Sequence, residues 1–232
     1  MPGQRQPPVV LTDEASWDSL ELTGSFVGQT AAHVDVTGCS LRGVALTGAE
    51  IDRLRLVDSV LEDCELSGAV LTRLSVVRVE FHRCRLSSLT ATGATWKDVR
   101  FTDCKLDQAN LRMTTWESSS FESCILVDAE FGSANLKGTR LHSCDLTGAD
   151  FSAAKMDGAS LHDSILERVR GGEAFRGVHI GTDQVLPLAF SVFSALSIRI
   201  DDDVARAPAR DGRNRPLCGE ADHPTDHIQE LS

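Results

Sequence analysis

From Phe26 to Leu166 every fifth residue is hydrophobic, 29 positions in one unbroken frame. At the chain's 41% hydrophobic content, chance produces such a run with a probability on the order of 10⁻¹¹. A period of five fits neither the 3.6 of a helix nor the 2 of a strand. It fits a coil in which each five-residue unit forms one side and then turns a corner. The position two before each centre is also restricted. It is often Ala, as at Ala49, Ala69 and Ala94, or Cys, as at Cys39, Cys64 and Cys84. Each unit therefore offers one large and one small inward residue. Gly recurs two after the centre (Gly38, Gly43, Gly48, Gly68, Gly93, Gly138, Gly148, Gly158), which suits a turn with positive φ.

A second period confirms the first. Cys64, Cys84, Cys104, Cys124 and Cys144 recur at one constant interval, once in every four units. The same side therefore returns every fourth unit, and the thiols are expected to stack inward as a ladder of small apolar groups. Zinc favours paired Cys spacings that these residues lack. By the same arithmetic Phe81, Phe101 and Phe121 stack on one side and Trp96 and Trp116 on another, as core filling. Stacked free thiols suit a reducing compartment, so a cytoplasmic location is expected.

Segments such as Ala109-Asn110-Leu111, Ala134-Asn135-Leu136, Cys144-Asp145-Leu146 and Ala149-Asp150-Phe151 resemble the A-(D/N)-L-x-x motif of pentapeptide-repeat proteins. The resemblance implies an all-β solenoid: a right-handed quadrilateral parallel β-helix of about seven coils, roughly 34 Å long at the usual strand spacing, with a C-terminal capping helix. Some proteins of this family resemble B-form DNA in size and charge and bind DNA gyrase or protect it from quinolones. The resemblance therefore brings that role along as an alternative.

The expected organisation is a disordered N-terminus (1–10), an N-terminal cap (11–25) around Trp17, Leu20 and Leu22, the β-helix (26–170), a C-terminal cap (171–200) and a disordered tail (201–232). Solenoids need such caps because their end coils expose core. Thr182 reads as the N-cap of a helix over 183–196, with Pro187 as a place where it kinks or restarts. Leu186, Leu188, Phe190, Phe193 and Leu196 exceed one apolar stripe. One side is expected to cap the last coil and the other to meet a second subunit as a homodimer.

No phosphate loop, HExxH, CxxC pair or nucleophile elbow is present. No catalytic residue, metal ligand or cofactor site is therefore assigned, and no enzymatic activity is expected. Glu122, His142 and His162 recur at the same interval as the cysteines on one outward column, a candidate metal ladder weighed against a solvated row. His223 and His227 share helical spacing, but Pro224 argues against a formed site. Cys218 falls in the polar tail, where exposure is expected.

The chain carries a net charge of -11, which speaks against direct nucleic-acid binding. No apolar run is long enough to span a membrane. Residues 26–170 hold 20 acidic and 16 basic side chains, so most of the excess lies outside the repeat. Arg55, Arg78, Lys97, Lys137 and Lys155 interrupt every side. A duplex presents one charge per ~1.7 Å, and no side offers a comparable acidic stripe. The sequence also lacks the inserted loops of the quinolone-protecting relatives. The expected role is a rigid scaffold for an unidentified protein partner, with gyrase modulation second.

Overall fold

The computed structural model describes residues 11–199. Within them the repeat folds as a four-sided parallel β-solenoid, and every strand pairing is parallel. The return of each side after four units is direct. Ser25 bridges Ala45, and the column continues through Glu65, Arg85, Lys105, Ile125 and Asp145 to Ile165, seven steps in all. The longest strands, Thr30–Thr37, Glu50–Val57, Ser75–His82 and Thr95–Thr102, each run through a corner, and so join two adjacent sides.

All 29 repeat centres are buried, as is every small position from Val34 to Ser164. A single apolar core runs from Leu11 to Leu188. The corners carry the less expected result. Every residue two after a centre, from Gly28 to Arg168, has positive φ, whether or not it is glycine. Arg53, Arg73, Arg78, Arg83, Met113 and Ala153 all adopt it. Coil closure imposes this left-handed turn, although it costs an L-residue roughly 1–2 kcal/mol. Burial of two inward side chains per unit offsets that cost.

The first described residues already form a coil. Ser16–Asp18 pairs with Asp35–Thr37, and Glu21–Leu22 with Ser40–Leu41. This coil is one position shorter than those that follow, in which Ser40 pairs with Val60 and Val60 with Glu80. The five-residue frame starts only at Phe26 for that reason. Leu11, Trp17 and Leu22 are buried and Leu20 partly so. Trp17 stacks on Phe26 with ring centroids 5.6 Å apart.

At the other end the frame breaks at Gly171 and Gly172 because no side chain fits there. A Cβ on Gly171, at φ 80°, would lie 2.5 Å from the Phe151 carbonyl carbon, and one on Gly172 would overlap the Ser191 carbonyl oxygen. This close approach seats a 3₁₀ turn, Gly172–Phe175, and Phe175 packs edge-on against Phe151 at 5.6 Å. A second 3₁₀ turn, Thr182–Gln184, leads into helix α1, Val185–Ala195.

Two details of this end differ from the sequence expectation. Thr182 does not cap the helix; it lies in the 3₁₀ turn, and its side chain makes no capping hydrogen bond. Instead the Gly181 N–H donates to Gln184 Oε1 at 2.7 Å. Pro187 does not interrupt α1, because it lies in the first turn, where a backbone N–H has no helical partner to lose. The segments 1–10 and 201–232, with Cys218, His223 and His227, lie outside the described residues.

Candidate functional surface

The inward groups are fully committed to packing. Cys64, Cys84, Cys104, Cys124 and Cys144 are each 1% exposed and unbridged. Their thiols donate to backbone carbonyls: Cys84 to Leu61 and His82, both at 3.4 Å, and Cys104 to Phe81 and Thr102 at 3.4 and 3.3 Å. The next thiol along the ladder, together with burial, pushes Cys84 and Cys104 up to about 12, far from the reactive thiolate range. Hydroxyls fill equivalent small slots in the same way. Ser59 Oγ donates to the Val57 carbonyl at 2.7 Å and accepts the Cys39 N–H at 3.1 Å.

Phe81, Phe101 and Phe121 stack in sequence with centroids 4.5 and 4.8 Å apart, and Trp96 stacks on Trp116 at 4.8 Å. These rings are buried, so they offer no platform to a base or ligand.

The outward surface is built from charge pairs between successive coils. Arg78 makes a bidentate pair with Asp58 at 2.5 and 2.7 Å, and Arg83 one with Asp63 at 2.9 and 3.0 Å. Arg73 holds Asp52 in the same manner. Arg42–Glu62, Arg55–Asp35, Lys97–Glu117, Arg100–Glu80 and Arg170–Asp150 complete eight such contacts. The guanidinium hydrogen bonds hold the Asp52, Asp58 and Asp63 carboxyls below their usual value. The arithmetic that aligned the thiols would also have found these pairs, since each acid lies one coil from its base, with Arg73 one position further from Asp52.

His142 and His162 do meet, as a T-shaped pair with centroids 5.9 Å apart, but His142 Nε2 is 2.7 Å from Ser160 Oγ. Among the described residues no group of three or more His, Cys, Asp and Glu side chains could hold a metal ion. Glu122 therefore does not complete a site with them.

Helix α1 divides its apolar residues sharply. Leu188 is buried and Val192 packs against the core. Leu186, Phe190 and Leu196 are 77%, 70% and 64% exposed, and Phe193 is 38% exposed. No described helix is long and apolar enough to cross a membrane.

Comparison with known families agrees with this geometry. The family description "Pentapeptide repeat region" matches residues 34–111, and "Pentapeptide repeats (8 copies)" matches 124–163. No curated protein matches the sequence. Among solved structures, a trypsin-treated variant of QnrB1, a plasmid-mediated fluoroquinolone resistance protein, is 17% identical, covering 83% of this chain and 98% of that one with a TM-score of 0.40. Full-length QnrB1 is 18% identical over 79% and 99%, also with a TM-score of 0.40. The pentapeptide repeat protein Rfr23 from the cyanobacterium Cyanothece 51142 is 12% identical over 66% and 88%, with a TM-score of 0.19. By its unbroken five-residue frame, its four-sided coil and the two family descriptions it matches, the chain belongs to the pentapeptide-repeat family.

Proposed function

We propose that this protein is a non-enzymatic scaffold, a rigid rod whose flat sides engage a protein partner. The observation that carries this reading is the division of labour between inside and outside. Thiols and aromatic rings are buried as packing, and eight of the outward cations are tied to carboxylates on neighbouring coils. What remains is a set of outward side chains held at fixed spacing on a continuous core. Such quasi-one-dimensional arrays characteristically serve as extended binding surfaces. The six buried free thiols favour a reducing compartment such as the cytoplasm.

Gyrase modulation by DNA mimicry is the second reading, carried by the family resemblance. The interleaved Arg–Asp pairs weigh against it, because a mimic must offer continuous negative potential. Proximity labelling in the native host, with outward charge-reversal variants, tests the scaffold reading. Arg55→Glu, on an exposed position, should remove a specific partner without unfolding the rod. A labelling profile unchanged by reversals on all four sides would contradict it.

We further infer that the exposed residues of α1 join two rods. Leu186, Phe190, Phe193 and Leu196 leave an apolar surface of the kind a monomer rarely exposes. Light scattering on the full chain should give a dimer, and Phe190→Asp a monomer. A monomeric wild type would leave α1 only its capping role.

A further inference from the structure

Half of the 16 cations of the repeat are paired with a carboxylate on a neighbouring coil, and two of the others flank one corner. Lys137 and Arg140 stand on adjacent sides of the corner at Gly138. Among the described residues neither has a carboxylate within ion-pair distance, and the nearby hydroxyls of Ser118 and Ser120 have no hydrogen-bond partner. The carboxylate lining the notch, Glu117, is already engaged by Lys97 at 3.0 Å. Lys137, Arg140 and Ser118 border an open notch of about 570 Å³, which shares Ser118 and Arg140 with a second hollow of about 270 Å³ that holds Ser120 together with Glu80 and Asp98.

The corner itself creates the space. At Gly138, with φ 66°, an added Cβ would meet nothing within 4 Å, and the same corner one coil earlier is only Ser118. Further along the same edge this position carries a long or charged side chain, Arg78 or Asp98. The short residues leave a basin lined by Arg140, Lys137 and the Ser118 hydroxyl. Arginine and lysine together supply forked and point-charge donors, a combination suited to a tetrahedral oxyanion.

We propose that this notch binds a phosphate-type oxyanion, held by Arg140 and Lys137 with Ser118 as a neutral donor. This goes beyond the scaffold reading and does not depend on it. The anion is either free phosphate or a phosphoryl group carried on a protein segment.

The test is calorimetric titration of the full chain with inorganic phosphate, and separately with a phosphoserine peptide and its unphosphorylated twin, at constant ionic strength. Saturable binding at one site per chain is expected. Gly138→Asp should weaken it by about tenfold or more, the loss expected when charged hydrogen bonds are opposed. Asp is tolerated in this turn, as Asp98 and Asp103 demonstrate, so the variant keeps the fold. Lys137→Ala with Arg140→Ala should do the same, whereas Arg53→Ala, at an exposed cation elsewhere, should change nothing. Tighter binding of the phosphopeptide than of phosphate identifies the protein-borne source, and equal or weaker binding identifies free phosphate. Unsaturable binding to every probe, or equal loss with Arg53→Ala, would overturn the proposal.

Discussion

The side-chain amide of Gln184 takes the place of a missing coil above Ser164. Its Nε2 donates to the Ser164 carbonyl at 2.5 Å and to the Leu161 carbonyl at 2.6 Å. One rung earlier Ser164 Oγ donates to the Leu141 carbonyl at 2.8 Å, and the Ile165 N–H donates to the Cys144 carbonyl at 2.8 Å. Gln184, one full coil after Ser164, thus reproduces both donors from a single buried side chain where the solenoid stops.

Removing that amide leaves the buried Ser164 carbonyl without a partner, at a cost of ~1–3 kcal/mol, and the Leu161 carbonyl with only the Ser164 N–H at 3.2 Å. Gln184→Ala should lower unfolding stability by roughly 1–3 kcal/mol. Hydrogen exchange should show faster opening at residues 161–184 than in the middle of the rod. Unchanged protection there would mean that α1 holds the end by apolar packing alone.

The corners allow a paired test. Gly148 has φ 72°, and an added Cβ would overlap Asp128 Oδ1. Gly148→Ala should destabilise by about 1 kcal/mol or more, measured by denaturant unfolding. Ala153 already occupies the same turn at φ 57°. Ala153→Gly should be neutral or stabilising by up to about 1 kcal/mol, as relief of the left-handed penalty competes with glycine's extra chain entropy.

The repeat was legible in the sequence because a solenoid writes its period into every coil. The inward residues, the return of each side and the stacked rings all follow from counting. The corner conformation was only partly legible. Glycine marks it at Gly38 or Gly148, but Arg73 and Met113 adopt it through coil closure, against their own preference. The C-terminal end was the least legible. A cap is a single event without repetition, so Thr182 reads as a cap by residue type, while Gln184 acts through a contact one coil away. Nor does an apolar helix sequence reveal which side packs; Leu188 is buried and Leu186 is not.

Acid stability follows from the Arg73, Arg78 and Arg83 pairs. These hold Asp52, Asp58 and Asp63 below their usual value of 3.8. A depressed carboxylate stabilises the fold above its unfolded value, and that contribution is lost as pH falls through the folded value. The contribution should therefore be intact at neutral pH and disappear only below about pH 4. Replacing the three arginines with Gln, which Gln108 shows is tolerated in this turn, should raise the pH midpoint of acid unfolding. An unshifted midpoint would mean that these exposed pairs add nothing.

Thiol accessibility tests the ladder directly. In a Cys218→Ser background, the six buried cysteines should react with a disulfide reagent only as fast as the rod opens. All six should react promptly in denaturant. Fast labelling of Cys104 in the native protein would contradict its raised pKa and its place in the core.

The choice between a scaffold with interleaved charge and a DNA mimic rests most directly on a supercoiling assay with purified gyrase, with and without a quinolone, at low and raised salt. The paired charges predict neither inhibition nor protection at any salt concentration. Inhibition or protection at low micromolar protein, lost as salt screens the contact, would contradict the scaffold reading and show that local acidic clusters such as Glu62, Asp63 and Glu65 outweigh the cations beside them.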